Sequence, residues 1–130
     1  MLAVDTNLIV RYLTRDDAQQ FARAEATIEG SEPIFVSLTV ALETEWVLRS
    51  SYRYTRERVL NALRAFAGLP NVVVESSSSM SKALDWAEQG MDLADALHLA
   101  QAQSCNAFVT FDQHLVETAR SLSPVPVRAP

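Results

Sequence analysis

"MLAVDTNLIVRYL" (residues 1–13) opens with an apolar run that reads as a buried β-strand over 1–4. Asp5 ends that run, and Leu8, Ile9, Tyr12 and Leu13 then recur at helical spacing. The stretch is strand, acid, helix. A buried carboxylate is costly, so Asp5 needs a reason to stand at the junction. One reason is local: Asp5 or Thr6 accepts hydrogen bonds from the orphan amides of the helix and caps it. The other is architectural, because in open α/β sheets ligands bind in the crevice outside the carboxyl ends of the strands. Taken alone, the stretch leaves both open.

The same alternation continues along the chain. Residues 15–30, "RDDAQQFARAEATIEG", predict a second helix started at Asp16/Asp17, with Phe21, Ala24 and Ile28 inward and Gly30 as its stop. "PIFVS" (33–37) is a short strand entered by a proline, which suits only a strand's first residue. A third helix runs through "LTVALETEWVLRSSY" (38–52), with Val40, Val47 and Leu48 as its apolar stripe and Trp46 beside it. A fourth starts at the Thr55 cap, carries Val59, Leu60, Leu63 and Phe66, and stops at Gly68. "NVVVE" (71–75) is a strand, and the serines that follow read as loop and cap before a helix on Met80, Leu84 and Ala87. "DLADALHLAQAQSC" (92–105) is a helix with Leu93, Ala96, Leu97 and Ala100 inward. "AFVTFD" (107–112) is a strand, "QHLVETARSL" (113–122) a helix and "VPVRA" (125–129) a short edge strand. Strands alternating with helices, without Asn-Gly hairpins, predict an α/β fold: a three-layer α/β/α arrangement around a central, twisted parallel sheet of about five strands.

The 130 residues suffice for one domain, 1–130, with a core of its own. No apolar stretch approaches the roughly 18 residues that span a bilayer, and no charged-then-apolar leader precedes the first strand, so a soluble, cytoplasmic protein without membrane contact is expected. Cys105, the single cysteine, has no partner for an internal disulfide or a zinc site. A net charge of −5 argues against gripping nucleic acid mainly by counterion release. Locally the balance reverses: Arg49, Arg53, Arg56, Arg58 and Arg64 are opposed only by Glu57, with Tyr52 and Tyr54 among them. Arginine suits bidentate recognition of phosphate or carboxylate, although a solvated helix face is the ordinary explanation of such a run.

Acids recur where chemistry could use them. Asp112 ends "FVTFD" as Asp5 ends "LAVD", and parallel central strands would bring such ends to one edge of a sheet. Glu43 lies one turn from Trp46. Asp92 and Asp95 share a helical face, with His98 a turn further. Asp92 suits a cap, whereas Asp95, among Leu93, Ala94, Ala96 and Leu97, would be poorly solvated. Clustered carboxylates raise one another's pKa unless a cation sits among them. An oxygen-rich site with few histidines suits Mg2+ or Mn2+, ions that orient water and neutralise charge at a phosphodiester. Other chemistries lack their motifs: the three glycines, Gly30, Gly68 and Gly90, are isolated helix stops, and no G-x-S-x-G occurs. Lys82, the only lysine, opens a helix, which weakens a receiver- or phosphatase-like reading. His98 and His114 read as surface or core residues, Trp46 and Trp86 as core or interface anchors.

With these residues assembled, "VDTNLIVRYL" (4–13), "VALETEWVL" (40–48), "DLADALHLA" (92–100) and "TFDQHL" (110–115) resemble the PIN domain, in particular the VapC-type toxins of toxin–antitoxin pairs, over the whole chain. The resemblance implies an Mg2+- or Mn2+-dependent endoribonuclease with a parallel-sheet core, homodimeric, and inhibited by a cognate antitoxin that covers its acidic site. It implies a catalytic quartet of Asp5, Glu43, Asp95 and Asp112. Asp5 and Asp95 would hold the metal, Glu43 and Asp112 would hold metal-bound waters or a second ion, and Asp92 is a secondary position. Thr6, Asn7 and Thr110 support the site, and Arg49, Arg53 and Arg56 are candidate contacts to RNA or a partner. His114-Leu115 stands where an aromatic often follows T-F-D. The competing reading is a catalytically silent PIN-like interaction module.

Overall fold

The computed structural model describes residues 1–130. Five strands and seven helices follow one another as β1 Leu2–Ala3, α1 Thr6–Thr14, α2 Ala18–Ile28, β2 Ile34–Val36, α3 Leu38–Ser50, α4 Arg56–Ala67, β3 Val72–Val74, α5 Ser77–Glu88, α6 Leu93–Ala100, β4 Phe108–Val109, α7 Gln113–Ala119 and β5 Val127–Arg128. Every strand pairing is parallel, as the alternation of elements requires. The ladders divide into a three-stranded sheet, β1-β2-β3, and a two-stranded sheet, β4-β5, so β1 and β4 do not share one hydrogen-bonded sheet. The chain forms two compact units, Met1–Ser77 and Ser78–Pro130.

In the first unit β2 lies between its neighbours, with Ile34 opposite both Leu2 and Val72. Its Ile34 and Val36 are accordingly buried. The strand at residues 1–4, expected to be buried, is instead an exposed edge, with Met1 and Leu2 open to solvent. It pairs with β2 only, so its other side has no ladder partner. Pro33 stands directly before β2, where its missing N–H costs no ladder bond, and its carbonyl accepts from Leu2 N.

Helix α4 follows its sequence pattern, capped by Thr55 with Val59, Leu60, Leu63 and Phe66 all buried; α2 is capped by Asp17 and buries Ala24 and Ile28, while Phe21 is only half-buried. Helix α3 does not. Its buried residues are Ala41, Thr44, Glu45 and Leu48, a set at i, i+3, i+4 and i+7, while Trp46 is exposed. Two polar residues occupy this face because each is satisfied nearby. Thr44 Oγ1 donates to Val40 O, and Arg49 Nε donates to Glu45 Oε1. Of the expected stripe, Leu48 is buried and Val40 and Val47 are half-buried.

Helix α1 packs against α2 and α3. It ends at Arg15, in the left-handed region at φ 57°, and the chain turns so that Asp16 meets three donors. Tyr52 Oη donates to it at 2.6 Å, Arg11 Nη1 at 2.8 and 2.9 Å, and Thr14 Oγ1 at 3.0 Å. Chiefly because of the Tyr52 and Arg11 bonds, the Asp16 carboxyl is pulled down to about 2 from an ordinary 3.8. A depressed carboxyl stabilises the fold above its unfolded pKa and ceases to do so as pH falls through its folded one. The stability deficit of Asp16→Asn, read from urea unfolding midpoints, is therefore expected to persist from neutrality to pH 3.8 and to narrow toward pH 2. A deficit that stays constant through that window contradicts the assignment.

In the second unit α5 begins earlier than expected, since Ser77, Ser78 and Ser79 form its first turn rather than a loop. Serine is tolerated there because the first amides of a helix lack intrahelical partners and short hydroxyl side chains can serve them. Beyond α5, Gly90 takes φ 109°, a conformation that side chains rarely adopt. The inward residues expected of α6 (Leu93, Ala96, Leu97 and Ala100) are all buried, as is Trp86 of α5. Pro126 directly precedes β5, which pairs with β4 and packs against α7. No helix of the chain is long and apolar enough to cross a membrane.

Candidate active site

Asp5 follows β1 and caps α1, its Oδ1 accepting from Leu8 N at 3.0 Å. The local reading of the opening stretch is therefore correct. It does not exhaust the residue, because Asp5 is exposed and also lines a cavity of about 500 Å3. Asn7 and Glu43 line the same cavity, together with the buried Thr6. Thr6 Oγ1 donates to Glu43 Oε1 across a separation of 37 residues, which joins the start of α1 to the middle of α3. The sequence-predicted Asp5, Thr6, Asn7 and Glu43 thus line one cavity of the first unit. A second cavity, of about 320 Å3, opens between α1 and α2 and includes Asp5, Asn7, Arg11 and Arg23.

The second unit holds the remaining acids. Asp92 caps α6, accepting from Asp95 N at 3.2 Å, and Asp112 caps α7, accepting from Leu115 N at 3.1 Å. The Asp112 amide in turn donates to Thr110 Oγ1 at 3.0 Å, which fixes the turn after β4. Asp95 lies half-buried in the first turn of α6. Burial raises its carboxyl above the ordinary 3.8; the negative charges of Asp92 and Asp112 add to this, and His98 opposes it. Asp95 is thus within electrostatic reach of both Asp92 and Asp112. His98 and His114 are both exposed, and only His98 acts on Asp95.

No group of three or more His, Cys, Asp or Glu side chains is placed to hold a metal ion. The donor set is nevertheless oxygen-rich and carboxylate-dominated, the kind that suits a hard divalent cation. Such ions are usually held by one or two carboxylates together with water and substrate phosphate, and seldom by an all-protein cage. In that sense the residues fit Mg2+ or Mn2+.

The arginine-rich segment divides on inspection. Arg49, Arg53, Arg56 and Arg58 are all exposed; Arg49 is paired with Glu45 through its Nε, and the Arg58 guanidinium stacks over the Tyr54 ring at 3.7 Å. Sequence reasoning missed two arrangements: the buried Glu45, and the cluster of Arg11, Asp16 and Tyr52. Only the doubled acid at 16–17 hinted at the cluster. Asp17 suffices as the cap of α2, which leaves Asp16 free for another partner.

A family model described as the PIN domain matches residues 2–121. No curated protein sequence matches the chain significantly. Among solved structures, the chain is similar to the crystal structure of Mycobacterium tuberculosis VapC20, a sarcin-ricin loop cleaving toxin. The identity is 20%, the match covers 88% of this chain and 92% of that one, and the TM-score is 0.45. With parallel strands alternating with seven helices, and a family match that runs through both compact units, this chain belongs to the PIN domain family.

Proposed function

We propose that the chain is an Mg2+- or Mn2+-dependent endoribonuclease acting as the toxin of a VapC-type toxin–antitoxin pair, with residues 1–130 working as a single PIN domain. Supporting this are its family membership and one structural observation above the others: Asp5, Thr6, Asn7 and Glu43, distant in sequence, line one cavity with Thr6 bonded to Glu43. Asp5, Glu43, Asp95 and Asp112 form the catalytic set. Asp5 and Asp95 are assigned to hold the metal, with Glu43, Asp92 and Asp112 secondary. Bound divalent cation supplies charge neutralisation at a phosphodiester and makes water a better nucleophile.

The chain's own groups do the positioning. The α1 cap fixes Asp5 through one oxygen. Thr6 ties Glu43 to the start of α1 through one carboxylate oxygen. Thr110 and the α7 amide fix Asp112. Burial and neighbouring acids hold the Asp95 carboxyl above its ordinary range, so a neighbouring cation would favour its charged form. Arg53 and Arg56 are suited to flanking phosphates of RNA, to a cognate antitoxin, or to a second copy in a homodimer.

The rival reading, a silent interaction module, draws on the lack of a ready three-acid cage. Incubating purified protein with total RNA in Mg2+, Mn2+ or EDTA, beside Asp95→Asn, decides between them. Discrete fragments that vanish with EDTA, and fall about 100-fold or more with Asp95→Asn, are expected of the nuclease, since loss of one charge-stabilising group is felt on that scale. A folded protein that cuts nothing under either metal points to the module.

A further inference from the structure

The cavity beside Asp5 and Glu43 extends past these two carboxylates along α3. Val40, Glu43 and Val47 lie at i, i+3 and i+7 on one face of α3, so the cavity follows that helix for roughly 10 Å at 1.5 Å per residue. Glu43 sits within this span, and Val10 of α1, with Ser51 and Tyr52 just beyond α3, lines the remainder. The walls there are apolar apart from Ser51 and Tyr52, and the Tyr52 hydroxyl is already committed. It donates to Asp16 at 2.6 Å and accepts from Arg11 Nη1 at 3.2 Å. What Tyr52 can offer the cavity is therefore its ring, held in advance by the anchor at its far end.

A pre-fixed aromatic beside an apolar wall, next to acids that act on a phosphodiester, matches the needs of single-stranded RNA. Its unstacked bases find their binding energy on aromatic faces. The volume of about 500 Å3 falls in the range of pockets for small ligands. We propose that Tyr52, with Val10, Val40 and Val47, forms a subsite for one unstacked nucleobase of the RNA, adjoining Asp5 and Glu43. The proposal rests on the ribonuclease reading and adds to it a residue that selects where the strand is held. Tyr52 is then a substrate-contacting residue, and Asp16 and Arg11 are positioning residues that act through it.

The test uses short single-stranded RNAs in which each base in turn is removed, bound to full-length protein carrying Asp95→Asn so that strands stay intact. With Tyr52 present, loss of one particular base is expected to weaken binding roughly 5- to 150-fold, the range reported for base–aromatic stacking. Tyr52→Phe keeps the ring and loses the anchor, so it retains most of that base dependence. Tyr52→Leu loses both and becomes nearly indifferent to the base. A purely structural role for Tyr52 affects Phe and Leu alike, because both remove the hydroxyl. Base dependence that is equal in Tyr52 and Leu proteins, or lost equally in Phe and Leu, overturns the subsite. Cleavage of the same RNAs by protein with Asp95 intact is scored separately. Cutting without a Tyr52-dependent base removes the subsite and leaves the nuclease. A Tyr52-dependent base without cutting leaves the subsite and removes the nuclease.

Discussion

Asp5→Asn is expected to lower RNA cleavage about 100-fold or more while leaving the fold intact. The two halves of that statement have separate physical origins. Asp5 caps α1 through Oδ1 and Leu8 N. Asparagine caps about as well as aspartate, so stability should change by only a few tenths of a kcal/mol, roughly. The charge, by contrast, is lost outright, and with it a carboxylate that lines the cavity shared with Thr6 and Glu43. Asp5→Ala completes the argument by removing cap and charge together. It should lose the same activity and in addition about 1 kcal/mol of stability. Cleavage rates and urea unfolding measured on both variants separate the roles. If Asp5→Asn cuts at the normal rate, Asp5 is only a cap and the quartet loses its first member.

That double role explains how far the sequence could be read. The junction at Asp5 was legible because a strand-to-helix change of period is a local signal, and so was the capping at Asp17, Thr55 and Asp92, which depends on residue type a few positions from a helix start. The core faces of α4 and α6 followed from apolar spacing alone. Reading failed where a polar residue was buried because a neighbour satisfied it. Thr44 and Glu45 took the inner face of α3 through bonds to Val40 O and Arg49. Hydrophobic pattern alone cannot anticipate that, so the stripe was set on Val40, Val47 and Leu48 with Trp46 beside it, and only Leu48 of the stripe is buried. The exposure of β1 was hidden for a different reason, since an apolar run does not state how many neighbours the strand will have. Of the candidate site, the link from Thr6 to Glu43 joins residues the sequence had singled out separately. The anchor from Asp16 to Tyr52 links residues 36 apart, and no local pattern encodes it.

The largest expected change in stability lies in the same helix. Leu48 is fully buried, with no accessible surface, on the inner face of α3 beside Ala41, Thr44 and Glu45. Leu48→Ala removes its burial and leaves a cavity that close-packed neighbours fill only in part, at a cost of roughly 2 to 5 kcal/mol. Against a total of about 5 to 15 kcal/mol for an ordinary domain, this is a large fraction. Trp46→Ala, two positions away, removes more atoms but from a side chain that is 56% exposed, and surface changes of that kind usually stay within about 0.5 kcal/mol. Ranking the two by size or hydrophobicity predicts the opposite order, so urea unfolding of the pair tests the helix rotation directly. Activity follows from the same geometry, because α3 carries Val40, Glu43 and Val47 on the cavity face and Leu48 on the inner one. Cleavage by Leu48→Ala should therefore decline with the folded fraction and return toward the normal rate in conditions where circular dichroism shows the variant fully folded. A Trp46→Ala cost equal to or above that of Leu48→Ala would place the core on the other side of α3, and with it turn Glu43 away from the cavity that it shares with Asp5.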